Sequence, residues 1–242
     1  VTAELKRWNI TPKNSLGESF GATNFGIFFR LGALVLETKY KLNNVISLLQ
    51  NQYSKSDYLR HDYNISILQT VSDKANKSFF ELSDSFWLLS QDNEFIAWYK
   101  WLEKIFLEST CTIETDFLTN LFSVHQNFLV KLMRGYNPKC DIEKSFHKIN
   151  SSSQFHSYDQ VLKLVSQQLE ACSKNEKYEF WAYRRIVEKI LRETNYYPED
   201  KIENTSVFIW GTLESRTQQA DLFILAGLNE GIWPSYNHDD LW

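Results

Sequence analysis

An α/β fold with a large helical middle is what this sequence predicts, and three observations carry the expectation. Two short apolar runs, residues 207–210 and 222–226, are rich in β-branched and aromatic residues and flank a polar connection, as buried strands do. From about Phe25 to Tyr197 the apolar residues instead recur at helical spacing, and Pro138 is the one proline in that stretch. The 242 residues are 43% hydrophobic and 15% aromatic, which supplies a sizeable core for one large domain or two small ones.

At the start of the chain, Leu5 and Trp8 stand at helical spacing, and Asn9, which tolerates the left-handed conformation, closes that segment as the tail of a helix. Thr11-Pro12-Lys13-Asn14-Ser15-Leu16-Gly17 is a turn. Gly17-Glu18-Ser19-Phe20-Gly21 spells the Gly-x-Ser-x-Gly of a nucleophile elbow, but an elbow needs a buried strand immediately before its serine, and the preceding residues are polar and proline-containing. The segment therefore reads as a loop. Residues 95–107 place Phe95, Ile96, Trp98, Tyr99, Leu102, Ile105 and Phe106 on one broad apolar face, and residues 116–133 repeat that logic with Phe117, Leu118, Leu121, Phe122, Val124, Phe128, Leu129 and Leu132.

His125 falls in the second of these helices, where a lone histidine is more often a packed core or rim residue than a ligand. Gly135 and Pro138 break the run, and Asn150 to Gln154 mark a flexible surface connection. Ser157-x-x-Gln160 resembles a capping box ahead of Val161, Leu164, Val165 and Leu169. Residues 178–194 put Phe180, Tyr183, Ile186, Val187, Ile190 and Leu191 on one arc and Arg184, Arg185, Lys189 and Arg192 on the other. A basic stripe can track a phosphate backbone; Glu188 and Glu193 beside it favour a solvated face instead.

Composition narrows the function classes. A net charge of −4 gives no global basic field, so any contact with DNA must be local. The cysteines Cys111, Cys140 and Cys172 are odd in number and far apart, which fits buried thiols in a reducing cytosol and a cytoplasmic location. No apolar run approaches a membrane span, and no membrane partner is expected. The chain starts at Val1 and stops at Trp242 directly after a motif, so it is expected to be a fragment, and the lack of a leader says little. Five Asn-x-Ser/Thr sequons carry no weight in a chain this rich in Asn and Ser. There is no Gly-x-x-x-x-Gly-Lys-Ser/Thr loop, no His-Glu-x-x-His, no Cys-x-x-Cys and no acidic cluster on a strand beside a lysine. The expectation is a chain that does no chemistry alone and holds no cofactor.

The C-terminal stretch is the part that speaks about function. Its second apolar run ends in Gly227-Leu228-Asn229-Glu230-Gly231, so polar groups and flexible backbone gather where a strand emerges, a usual place for ligand contacts in open α/β sheets; an ordinary strand and turn is the alternative. Gly211-Thr212-Leu213-Glu214-Ser215-Arg216, followed by Asp221-Leu222-Phe223-Ile224-Leu225-Ala226-Gly227-Leu228-Asn229-Glu230-Gly231-Ile232-Trp233-Pro234, resembles the AddB subunit of bacterial AddAB helicase-nucleases in its alphaproteobacterial form. Leu213-Glu214 match a Lys-Gly-Leu-Glu motif of active relatives, while Gly211 and Thr212 replace its Lys and Gly and Phe208 stands where many relatives have His. A second match is at the start, Val1 to Ile10 with Ser15-Leu16-Gly17, which resembles that family's opening helix, Trp-Gly-Ile and Ser-x-Gly turn.

The resemblance implies part of a RecA-like parallel-sheet domain interrupted by a large, mostly helical insertion: residues 1–30 begin the second RecA-like helicase domain, 31–200 form the insertion and 201–242 return to the sheet. It implies an inactivated superfamily 1 helicase region in a DNA double-strand-break repair subunit, with an AddA-type helicase-nuclease subunit supplying the motor and a nuclease domain beyond this stretch. Parallel strands at 207–210 and 222–226 would discharge their polar followers on one side of the sheet, which makes Thr212, Glu214, Arg216, Asn229 and Glu230 the candidate DNA-binding residues. Arg216 is the sharpest of these, since a guanidinium pairs bidentately with phosphate; the alternative is that Glu214 and Arg216 pair with each other or with Asp221. Two rival readings are an interaction scaffold without DNA contact and a fragment of an active helicase whose ATP loop lies upstream.

Overall fold

The computed structural model describes residues 2–10, 12–14, 17–54, 60–72, 78–82, 92–110, 115–136, 153–172, 176–196, 207–222 and 224. Contacts divide the chain into one unit made of residues 1–16 and 202–242 and another made of residues 17–201.

In the first unit, helix α1 (Thr2–Arg7) ends where Asn9 takes a φ of 59°. Ile10 N–H then reaches back to the Leu5 carbonyl at 2.9 Å, the long bond of a Schellman cap, so the left-handed asparagine is needed to turn the chain off the helix. Strand β1 (Lys13–Asn14) comes next and pairs in parallel with a strand from the far end of the chain, Phe208–Ile209, with Lys13 opposite Phe208 and Asn14 opposite Ile209. The expected strand at 207–210 is thus present in its centre. The strand expected at 222–226 is absent at its described positions: Leu222 and Ile224 are in no strand and are 75% and 81% exposed. The remaining residues of that run lie outside the described residues. Apolar, β-branched composition suits a strand, but a neighbour's backbone has to complete it, and no described residue does so here. Among the described residues the parallel sheet is this single pair, which does not amount to a RecA-like sheet.

The second unit is α-rich. Its helices are α2 (Asn24–Glu37), α3 (Leu42–Leu49), α4 (His61–Ser72), α5 (Asn93–Thr110), α6 (Leu118–Met133), α7 (Ser153–Cys172) and α8 (Phe180–Glu193). Helix α2 runs unbroken through residues 30 and 31 and packs on α3, α6 and α8. Thr23 starts it, its hydroxyl accepting the Gly26 N–H at 3.0 Å and donating to the Phe20 carbonyl at 2.7 Å. The helices are not the only regular structure between 25 and 197. Strand β2 (Glu18–Ser19) pairs antiparallel with β5 (Asn195–Tyr196), and β3 (Thr115–Asp116) with β4 (Tyr178–Glu179). Both clips sit at helix ends, where two cross-strand residues suffice to align the chains entering α6 and leaving α8. Helical periodicity does not register so short a pairing.

Ser19 settles the elbow motif. It lies on β2 and its hydroxyl donates to the Arg192 carbonyl at 2.9 Å, so it ties the N-terminal clip to the end of α8 instead of standing exposed at a strained turn.

The apolar faces expected of α5 and α6 form the core, except that Ile96, Phe117 and Val124 are only partly buried at its edge. Phe95, Trp98, Leu102, Phe106, Leu118, Leu121 and Phe128 are fully buried. Two tyrosines enter this core with their hydroxyls satisfied: Tyr40 stacks on Phe106 and donates to its carbonyl at 3.0 Å, while Tyr99 stacks on Phe79 and donates to the Phe79 carbonyl at 2.8 Å. Asp92 caps α5, accepting from the N–H groups of Glu94 at 3.0 Å and Phe95 at 3.3 Å, and pairs with Arg60.

Three smaller expectations change. Helix α7 is already under way at Ser157, so Ser157 and Gln160 form no capping box, and Ser153 and Gln154 belong to the helix instead of a connection; residues 150–152 lie outside the described residues. Gly135 ends the run after α6 with a φ of 70°, while Pro138 is outside the described residues. Cys172 is exposed, not buried: it is the last residue of α7, one turn past Leu169, where the buried ridge ends; Cys111 and Cys140 are outside the described residues.

The tightest backbone approach is at Gly26, where a Cβ would overlap the Phe20 carbonyl oxygen and lie 2.9 Å from the Gly21 Cα. Backbone cannot swing aside as a side chain can. Gly26→Ala is expected to lower the unfolding free energy by about 1–3 kcal/mol, read as a lower urea midpoint with an unchanged m-value. An unchanged midpoint would show that α2 does not enter its turn this closely.

Candidate functional site

Three of the candidate DNA-binding residues, Thr212, Glu214 and Arg216, come directly after strand β6 (Phe208–Ile209). Phe208 and Trp210 alternate onto one face and stack, with ring centroids 5.8 Å apart and planes 13° from parallel. Both are about half exposed, at 49% and 44%. Gly211 then leads into a single helical turn, α9 (Thr212–Ser215). The Glu214 carboxylate accepts the Gly211 N–H at 2.8 Å, which is the reciprocal half of a capping box: a glutamate three residues into the helix satisfies the donor that the turn leaves open. The turn closes with Ser215 N–H on the Gly211 carbonyl at 2.9 Å and the Thr217 hydroxyl on the Glu214 carbonyl, also at 2.9 Å.

Thr212, Glu214 and Arg216 are therefore carried on one short turn, and Asn229 and Glu230 lie outside the described residues. Glu214 fixes the backbone of that turn. Arg216 is exposed and makes no ion pair among the described residues, neither with Glu214 nor with Asp221. The capping role of Glu214 was legible in the spacing of Gly211 and Glu214.

The basic arc of α8 has a different fate. Arg184 pairs with Glu37 of α2 and with Glu188 at 3.1 Å. Glu188 also receives Arg30 of α2 at 2.9 Å and Arg192 at 3.2 Å, so three guanidiniums converge on one carboxylate. Lys189 lies 4.0 Å from Glu193, and Arg185 sits over the Trp181 ring at 5.8 Å. The phosphate-tracking reading is weakened by these internal partners. Arg30 and Glu37 are far from α8 in sequence, and no spacing rule links them to it.

His125 is fully buried in α6, with its ring 4.1 Å from that of Phe29. The Tyr183 hydroxyl donates to Nδ1 across 2.9 Å in the neutral tautomer that carries its proton on Nε2. Burial pushes its pKa down to about 3 and pushes that of Tyr183 well above the ordinary range. It is a packed core histidine. Among the described residues no group of His, Cys, Asp and Glu side chains could hold a metal ion, and no helix is long and apolar enough to cross a membrane. No protein-family model, no curated protein and no solved structure matches the chain.

The buried histidine makes a pH prediction. Its folded pKa of about 3 lies below the unfolded value of about 6.5, so between these values the unfolded chain binds more protons. The His125 contribution to stability is complete above the unfolded pKa and is lost as pH falls from about 6.5 toward 3. Carboxylates held low by partners, such as Asp92 by Arg60 and Glu108 by Lys131, lose their contributions only further into the acid range. Urea titrations at several pH values should show the unfolding free energy dropping as pH falls from neutral to the upper edge of the carboxylate range. His125→Gln should be less stable at neutral pH and flatter across that window; an unaltered slope would mean that His125 is not held neutral.

Proposed function

We propose that this chain is a non-catalytic, helicase-like region of a DNA double-strand-break repair subunit of the AddB type, which handles DNA ends in the cytoplasm together with an AddA-type motor subunit. The observation that carries the reading is the parallel pairing of Lys13–Asn14 with Phe208–Ile209. A sheet whose neighbouring strands come from opposite ends of the sequence, with an α-rich unit between them in the chain, is what a sheet domain interrupted by a helical insertion requires. The RecA-like order of that sheet is part of the proposal. The Gly-Thr-Leu-Glu-Ser-Arg and Leu-Asn-Glu-Gly-x-Trp-Pro stretches support the family assignment.

In this reading Glu214 holds the turn after β6 and Arg216, without an ion-pair partner among the described residues, meets a phosphate. Thr212, Asn229 and Glu230 would complete the contact. A second reading, a scaffold that binds protein and not DNA, is favoured by the occupied arginines of α8 and by the stacked, half-exposed Phe208 and Trp210.

Arg216→Ala in the complete heterodimer separates the two. A phosphate contact predicts an unchanged melting temperature and a salt slope of DNA binding reduced by about one unit. The scaffold reading predicts an unchanged slope. On its own the purified chain is expected to hydrolyse neither ATP nor DNA, since its sequence has no phosphate loop and no paired metal-binding carboxylates. Mg-dependent turnover that co-elutes with the protein peak would contradict that expectation.

A further inference from the structure

Helix α2 is apolar on nearly every face. Phe25, Phe28, Phe29, Ala33, Val35 and Leu36 are buried, but Ile27, Leu31 and Leu34, spaced i, i+4 and i+7, are not; Ile27 is 39% exposed. A helix that is hydrophobic all round normally sits in an interior, so a stripe left partly uncovered is a surface that costs free energy in water. These three residues line a groove of about 150 Å³ between α2 and α8, floored by Ala33 and Val187 and edged by Arg30, Arg184 and Glu188.

The edge has a sign. Within α8 four cations, Arg184, Arg185, Lys189 and Arg192, stand against two carboxylates, Glu188 and Glu193. Arg185 has no ion pair among the described residues and Arg192 is well exposed beyond its bond to Glu188. A partner with acidic flanks finds Arg185 and the exposed side of Arg192 along the α8 rim, whereas a phosphate backbone would have to displace Glu188 and Glu37 from the guanidiniums nearest the groove and would gain nothing from its apolar floor.

We propose that this groove docks an amphipathic helix of a partner protein, one that presents branched apolar side chains at i, i+4 and i+7 with Asp or Glu beside them. The mode is helix-in-groove recognition: the apolar ridge covers Ile27, Leu31 and Leu34, and the acidic flank lies along α8 toward Arg185 and Arg192. Because the groove belongs to the helical unit alone, its occupant does not depend on the DNA-repair reading.

The test uses the whole chain and two fluorescein-labelled helical peptides of about five turns. Both carry Leu at i, i+4 and i+7; one is flanked by Glu and the other by Lys. The Glu-flanked peptide should raise the anisotropy saturably and bind at least about tenfold tighter than the Lys-flanked one, a preference that salt erodes. Leu34→Glu should weaken it at least about tenfold with the far-ultraviolet circular dichroism unchanged, and Ile27→Asp, at a more exposed position, should do the same if Leu34→Glu perturbs folding. Equal binding of both peptides, binding of neither, or indifference to both substitutions overturns the proposal. So does a single-stranded oligonucleotide that displaces the peptide and is itself lost on Leu34→Glu, which would assign the groove to nucleic acid, or self-association abolished by that substitution, which would assign it to a second copy of the chain.

Discussion

Burial of helix α2 is the constraint on which the described α-rich unit depends. Its fourteen residues include three phenylalanines and six aliphatic side chains with only Arg30 and Glu37 charged, so most of its circumference has to be covered, and only the stripe of Ile27, Leu31 and Leu34 is left partly open. Burying each large apolar side chain contributes about 1.5–3 kcal/mol, and the chain realises this by placing α3, α6 and α8 around α2. The close approach of the Phe20 turn to Gly26 and of Leu129 to Gly32 shows how this is done: at both positions a side chain is given up so that a neighbour can come in. Polar groups then adapt to the packing. Arg30 and Glu37 lie on the side of α2 that meets α8, and Arg184 and Glu188 complete them; each such half-exposed pair is worth little alone, but four charges shared between two helices fix how one sits along the other.

Much of this was legible locally. Asn9 at a helix end, the apolar faces of residues 95–107 and 116–133, the core position of His125 and the strand centred on Phe208 all come from short-range chemistry, and the structure has each of them. What was not legible depends on partners distant in sequence. The antiparallel clips joining residue 19 to residue 195 and residue 116 to residue 178 are two residues long and leave no period. The glutamates that occupy the α8 arginines include one contributed by α2. Ser157 failed as a cap for a different reason: a serine favours a helix start but does not impose one, and α7 begins at Ser153, four residues earlier than the apolar ridge suggested. Leu222 and Ile224 failed because composition names a residue's preferred surroundings, not whether a neighbouring strand is there to supply them.

The candidate site shows the same division. That Glu214 caps Gly211 can be read from a spacing of three, while the absence of an ion pair on Arg216 among the described residues cannot, since Asp221 and Glu214 are both near enough in sequence to have taken it. The distinction matters for chemistry. A carboxylate committed to a backbone N–H holds its turn without neutralising the cation two residues on, so the turn keeps one positive group facing solvent. On α8 the reverse holds for most of the cations: Glu188 takes Arg184, Arg192 and Arg30 of α2, Lys189 lies by Glu193, and Arg185 is the one cation of the helix with no ion pair among the described residues.

Charge count alone therefore does not rank these two surfaces. The four cations of α8 outnumber the single Arg216, yet Arg184 and Arg192 contribute to an anion only what remains after Glu37 and Glu188, whereas Arg216 has no carboxylate to be displaced first among the described residues. Displacing a carboxylate that the fold holds in place means desolvating the new anion without gaining a new cation, and in water such an exchange is close to neutral. Counted by cations without an ion pair among the described residues, the two surfaces offer one each, Arg216 after β6 and Arg185 on α8, and what separates them is the apolar α2 groove beside the helix, which a phosphate backbone cannot use and an apolar protein side chain can.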